Sequence, residues 1–126
     1  MKRLPSSQLE IMLAIWQFGK AITRKELHKL LEDKNWKITT LNTLLNRLVQ
    51  NEFLEISHQG KEYVYYPRIM KEDYLSYESK YILSSLYENS MKNFFASMCN
   101  ARDISTNELS ELQQYLEKLK GGDSND

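Results

Sequence analysis

Thr39-Thr40-Leu41-Asn42-Thr43-Leu44-Leu45-Asn46-Arg47-Leu48-Val49-Gln50-Asn51 splits into two faces when wound as an α-helix at about 100° per residue. Leu41, Leu44, Leu45, Leu48 and Val49 fall in one arc. Thr39, Thr40, Asn42, Thr43, Asn46, Arg47 and Gln50 fall in the other. The apolar arc is an ordinary core face. The polar arc is unusual in kind, because a merely solvated face would be rich in Glu and Lys, which form helices better than Thr and Asn do. Short hydrogen-bonding side chains around a single Arg suit a face that meets a partner.

Upstream, two more helices are expected. Ser7-Gln8-Leu9-Glu10 has the form of a capping box, and Leu9, Met12, Leu13 and Trp16 recur behind it, with Ile11 and Ile15 broadening the face. This predicts a helix over 7–18 that stops at Gly19. Thr23-Arg24-Lys25-Glu26 is a second capping box, followed by Leu27, Leu30 and Leu31, which predicts a short helix over 23–32. Asp33-Lys34-Asn35 breaks the chain before the 39–51 helix. Downstream, Phe53–Ser57 and Glu62–Pro67 are β-prone runs around the polar turn His58-Gln59-Gly60-Lys61, a hairpin signal.

Helix, helix, helix, hairpin is the order of a winged helix. In a helix-turn-helix pair the second helix enters the DNA major groove, and here that is the 39–51 helix. Its polar arc holds the groups the groove reads: Asn pairs bidentately with adenine, Thr bonds a base or touches the thymine methyl, and Arg takes guanine or phosphate. The candidate DNA-binding residues are therefore Thr39, Thr40, Asn42, Thr43, Asn46 and Arg47, with Lys61 in the hairpin turn. Lys25, and with it Lys29, Lys34 and Lys37, is placed to meet backbone phosphates.

After Pro67 the texture changes. Residues 71–99 read as helix broken near Glu88-Asn89, with Tyr74, Tyr77, Tyr81, Met91, Phe94, Phe95 and Met98 as apolar bulk. Ser105-Thr106-Asn107-Glu108 is a third capping box, and Leu109, Leu112, Leu116 and Leu119 repeat behind it until Gly121-Gly122, where the helix is expected to end. The expected organisation is a winged-helix domain over 1–70, a helical dimerisation domain over 71–120 and a disordered tail over 121–126. The fold class is mainly α with a small β-hairpin. The C-terminal segment has too few apolar residues for a core of its own, so its stripe is expected to cover a second copy. Leu109, Leu112, Leu116, Leu119, Phe94, Phe95 and Tyr81 are the candidate seam of a homodimer, which implies a two-fold, palindromic operator.

Composition bounds the function. In 126 residues, 41% are hydrophobic and 27% charged, with no net charge. The charge is unevenly spread: residues 1–70 carry 11 Lys/Arg against 7 Asp/Glu, and residues 71–126 carry 6 against 10. A mildly basic front half and an acidic back half suit two different jobs. No apolar run approaches the roughly 20 residues that span a bilayer, and the N-terminus lacks a signal-peptide pattern. Cytoplasmic residence without membrane insertion is expected. Cys99 is the single cysteine, and His28 and His58 share no ligand spacing with it, so no metal and no cofactor are expected. Nucleophile, base and orienter do not converge anywhere in the sequence, which argues against an enzyme.

Three stretches resemble the penicillinase-repressor and methicillin-resistance-repressor family. Leu9-Glu10-Ile11-Met12-Leu13-Ala14-Ile15-Trp16 is similar to its first-helix motif, Thr40–Leu48 to its recognition helix, and Tyr63-Val64-Tyr65-Tyr66-Pro67 to its second wing strand. The resemblance implies a homodimeric winged-helix repressor of β-lactam resistance or related genes. It also implies release of repression through a membrane sensor protease that signals cleavage in the C-terminal helices. It carries DNA contacts onto Thr40, Thr43 and Arg47, and a wing contact onto Lys61. Two departures stand out. Where the family often has a basic residue and Gly, this chain has Gln50-Asn51-Glu52. Where the resistance repressors have a scissile Asn-Phe bond, the register counted from Ser105–Leu109 places Ser97-Met98. The paired Cys-x-Cys motifs of the copper-responsive branch are absent. Two other readings stand beside the repressor: a winged-helix protein-interaction module without a DNA role, and a winged-helix regulator that senses a ligand near Met91, Phe94, Phe95 and Met98.

Overall fold

The computed structural model describes residues 1–125, and Asp126 lies outside the described residues. In chain order the elements are α1 (Ser6–Phe18), β1 (Ile22–Thr23), α2 (Arg24–Leu30), a 3-10 turn (Glu32–Lys34), α3 (Ile38–Gln50), β2 (Leu54–Gln59), β3 (Glu62–Pro67), α4 (Lys71–Leu86), α5 (Met91–Ala101) and α6 (Thr106–Asn125). The chain divides into two compact units, one of residues 1–81 and one from Ile82 onward.

In the first unit, the apolar faces of α1, α2 and α3 meet over one core. Ile11, Met12 and Ile15 come from α1, Leu27 from α2, and Leu41, Leu44, Leu45 and Leu48 from α3. The α3 faces match the sequence division. The α1 face does not: the stripe through Leu9, Met12, Leu13 and Trp16 leaves Leu13 41% exposed, and the buried line runs Leu4, Gln8, Ile11, Met12, Ile15. Both stripes have helical spacing, and the side chains of Ile11 and Ile15 won the centre. Trp16 sits half-buried at the edge, where its indole N–H donates to the Ile69 carbonyl at 2.9 Å. Nor does Ser7 cap α1. The N-cap is Pro5, whose carbonyl accepts the Leu9 N–H at 2.9 Å, so the helix starts two residues earlier than a Ser7 cap requires. The Gly19 stop is present, in the left-handed conformation at φ 77°. At α2 the capping box forms in full: Thr23 Oγ1 accepts from the Glu26 N–H, and Glu26 Oε1 accepts from the Thr23 N–H.

The hairpin of β2 and β3 is closed by the two-residue turn Gly60-Lys61, with Gly60 at φ 65°. Glycine at the first turn position is what a type II′ hairpin needs. β1, a two-residue strand absent from the sequence expectation, pairs antiparallel with β3 through Ile22↔Tyr65 and Thr23↔Val64, giving the sheet order β1-β3-β2. Two residues carry too little pattern to read as a strand. Pairing is imposed by the chain returning from Gly19 into the α2 cap. Tyr74 of α4 is also part of this core, stacked among Trp16, Phe53 and Tyr77, with its hydroxyl accepting the Leu4 N–H at 2.8 Å. Arg3 pairs with Glu78 at 2.8 Å and lies 4.3 Å over the Tyr81 ring, so Tyr81 belongs with this unit.

The second unit is α5, α6 and the end of α4. The expected break is real: Glu88 and Asn89 both have positive φ, and Ser90 caps α5 by accepting the Asn93 N–H. Ser105 caps α6 by accepting the Glu108 N–H, and Arg102 pairs with Glu108 at 2.6 Å across the corner. Gly121 and Gly122 do not end α6, which continues through Asn125. Neither glycine has the positive φ that would stop a helix. No described residue of this unit is buried.

Candidate nucleic-acid interface

The candidate interface is built on α3. Burial of Leu41, Leu44, Leu45 and Leu48 fixes the rotation of this helix, and the opposite side follows from the 3.6-residue period. Thr39, Thr40, Thr43, Asn46, Arg47 and Gln50 are exposed there, and Asn42 is half-buried at the margin. The hydroxyl of Thr43 donates to the Thr39 carbonyl at 3.0 Å, so its proton is used within the helix. What Thr43 then presents outward is a methyl group and an oxygen lone pair. α3 has no side-chain N-cap at Lys37.

Asn42 has a partner within the chain. Its Oδ1 accepts from an Arg24 guanidinium N–H at 3.2 Å, and the same guanidinium lies 5.3 Å over the ring of Tyr63 on β3. Arg24 therefore ties α3 to the wing. Tyr63 in turn packs against His58 across the hairpin, with ring centroids 4.4 Å apart. Sequence reasoning saw Arg24 only as the second residue of a capping box. Its partners lie 18 and 39 positions away, and no local pattern points to them.

Lys61 sits at the hairpin tip and is exposed, two residues from Tyr63. Lys25, Lys29 and Lys37 line an open groove of about 750 Å³ along α2, together with His28 and Trp36, where His28 Nε2 hydrogen-bonds the Trp36 carbonyl at 3.1 Å. Lys34, also expected to meet phosphate, has an acidic partner within the chain. It pairs with Glu10 at 2.9 Å, bracing the 3-10 turn on α1, and the hydrogen bond it donates to the Glu10 carboxylate raises its pKa.

Among the residues assigned to a dimer seam, Phe94, Phe95, Leu109 and Leu112 line one open groove of about 450 Å³ between α5 and α6, with Met98 and Tyr115. Leu116 and Leu119 continue the stripe along α6, both 47% exposed. Tyr81 is not among them. Ser97 and Met98 are exposed on α5. Among the described residues no His/Cys/Asp/Glu group is arranged to hold a metal, and no helix is long and apolar enough to cross a membrane.

Residues 4–118 match the family described as "Penicillinase repressor". The chain is 28% identical over 123 residues to the penicillinase repressor of Bacillus licheniformis, covering 95% of this chain and 96% of that one. It is 24% identical to the methicillin resistance regulatory protein MecI of Staphylococcus aureus, covering 91% of this chain and 94% of that one. Among solved structures it resembles the solution structure of the DNA-binding domain of the repressor BlaI, with 32% identity and a TM-score of 0.51 over 59% of this chain and 94% of that one. That domain is a winged helix. The family is one of transcriptional repressors and not of enzymes. With a match that runs over nearly its whole length, this chain belongs to the penicillinase repressor family.

Proposed function

We propose that the protein represses transcription as a homodimer on a palindromic DNA operator, and that the genes it controls serve β-lactam resistance or a related response. The observation that carries the reading is the exposed Thr/Asn/Arg face of α3, backed by four buried leucines and flanked by a wing with Lys61 at its tip. Thr39, Thr40, Asn42, Thr43, Asn46 and Arg47 read or clamp the major groove. Lys61 and Lys25 meet phosphate. Sequence-independent affinity comes from these cations and falls with salt.

The second unit supports the dimer. Phe94, Phe95, Met98, Leu109, Leu112, Leu116 and Leu119 are each between 36% and 47% exposed. An apolar surface of that extent is rare on a soluble monomer. A second copy offers the same stripe and covers it by a two-fold operation. Relief of repression by a sensor protease would act on α5. There the bond in the counted register is Ser97-Met98, and an Asn-Phe bond stands four residues earlier, at Asn93-Phe94. Mass spectrometry of the fragments released on induction would distinguish the two.

The test is to incubate the full chain with fragmented source DNA, recover the bound pieces and sequence them. Enrichment of one two-fold-symmetric motif, with binding lost in Thr43→Ala and Arg47→Ala proteins, is the expected result. Absence of enrichment at low salt from folded protein would favour the interaction-module reading. A ligand-dependent shift in operator affinity with the chain uncleaved would favour the ligand sensor.

A further inference from the structure

We propose that Arg24 is a positioning residue that holds the tip of the wing to α3, so that Lys61 reaches phosphate only while Arg24 and Tyr63 are in contact. The inference rests on the reading that α3 and the wing face DNA. It starts from how little the hairpin itself supplies at its tip. The base of the hairpin is anchored in the core, by Leu54 on β2 and by Val64 and Tyr65 on β3. From His58 to Tyr63 every residue is exposed. A two-stranded ribbon without a buried face is held by little more than its own ladder, which is marginal in water. Lys61 lies on this stretch.

Arg24 supplies support from outside the hairpin. Its guanidinium carbon lies 5.3 Å over the Tyr63 ring, within reach of a cation–π attraction. The Tyr63 ring centroid is 4.4 Å from that of His58, its partner across the ladder, so a hold on one ring is a hold on both strands. The same guanidinium donates to Asn42 Oδ1 at 3.2 Å in a part-buried contact with α3. Arginine suits this place because one planar group can both stack on a ring and donate hydrogen bonds. Its backbone is fixed as well. Arg24 opens α2 directly after the Thr23 capping box, and the pairing Thr23↔Val64 sets the next residues, Arg24 and Tyr63, beside each other. The coupling of wing to α3 does not require Arg24 to touch DNA.

The experiment measures the affinity of the full-length protein for the operator that wild type recovers, over a series of salt concentrations. Each phosphate contact contributes about 0.9 to the slope of log affinity against log salt. Lys61→Ala removes one contact per protomer and is expected to flatten the slope by about 2 for a two-fold complex. Tyr63→Leu removes no charge, yet is expected to flatten it by the same amount, and Lys61→Ala added to Tyr63→Leu is expected to change nothing more. Tyr63→Phe keeps the ring and is expected to behave as wild type. Arg24→Met is expected to match Tyr63→Leu and likewise to make Lys61→Ala silent. A merely structural role for these residues would lower the melting temperature and leave the effect of Lys61→Ala intact. Tyr63→Leu with the wild-type slope overturns the proposal. So does additivity of Arg24→Met and Lys61→Ala, which would make Arg24 an independent phosphate contact. Should Arg24→Met fail to fold, the comparison of Tyr63→Leu with Tyr63→Phe decides. A wild-type slope that Lys61→Ala leaves unchanged overturns this inference alone, whereas a wild-type protein that recovers no motif overturns the repressor reading and this inference with it.

Discussion

Replacing Leu112 and Leu116 together by Gln should uncouple dimer formation from folding. Gln matches Leu in helix propensity and approximately in size, so α6 itself is little affected. The two leucines are 38% and 47% exposed in the single chain. Full burial of a leucine side chain is worth roughly 1.5–3 kcal/mol, so covering the exposed part of each contributes about 1 kcal/mol. The two-fold axis counts every substitution twice. Four lost contacts make about 4 kcal/mol, which is roughly a thousandfold in the dimer dissociation constant. Sedimentation equilibrium measures that constant directly, and circular dichroism checks that helix content is retained. A dissociation constant within a few-fold of wild type would refute the assignment of this stripe to the seam. It would also remove the argument for a two-fold operator.

Three other outcomes follow from particular residues. Glu52 has φ 66° immediately after α3, a left-handed position that glycine takes without strain, so Glu52→Gly should raise stability by about 1 kcal/mol in a thermal or denaturant melt. Gln8 is 6% exposed with its Oε1 buried and unpartnered, and Gln8→Met, which keeps length and removes the orphaned acceptor, should stabilise the first unit by about 1 kcal/mol; a loss would mean that the amide is satisfied by a trapped water. Hydrogen bonds from Thr23 hold the Glu26 carboxyl below its usual value of 4.5. A depressed carboxyl stabilises the fold above its unfolded pKa and stops doing so as pH falls through the folded value. The melting gap between wild type and Glu26→Gln should therefore be constant near neutrality and close below about pH 4.5.

The elements that could be read from the sequence were those whose signal is local and repeated. The α3 faces are set by eight or more consecutive choices between Leu and a polar residue. The hairpin was marked by Gly60 between β-prone runs, and the α2 box by Thr23 and Glu26, three residues apart. Features set by distant partners escaped. Ser7 has the chemistry of a cap, but Pro5 starts the helix. Leu13 has the spacing of a core residue, but the stripe through Ile11 and Ile15 is the one that faces α3. Tyr74 reads as part of the C-terminal segment and is a core residue of the first unit, because Trp16 and Phe53 leave an aromatic-sized space. At the site, the polar arc of α3 was legible residue by residue. The Arg24 link to Asn42 and Tyr63 was not, since it joins three elements that only the fold brings together.

The charge distribution supports the proposed role of the second unit in joining two copies. On the exposed side of α3, Arg47 is the one formal cation; the wing adds Lys61, and the α2 groove adds Lys25, Lys29 and Lys37. A domain that neutralises only a few phosphates gains little from counterion release and binds weakly at ordinary salt. Short, neutral side chains can discriminate bases, but they do not supply what the phosphates would. Joining two such domains changes the second half-site from a bimolecular event to a local one, at an effective concentration that can reach the millimolar range. Weak individual binding is then an advantage for release. If the proposed dimer and its release by proteolysis hold, cutting α5 or separating the α6 stripes would restore two poor binders without altering any candidate DNA-binding residue. On this reading, an isolated chain of residues 1–81 should keep the base profile of the full protein. Its affinity for the full operator should be lower by orders of magnitude, with a salt dependence about half as steep. A monomeric fragment that binds as tightly as the full chain would mean that the α3 face and wing suffice alone, and that the C-terminal unit serves some other purpose.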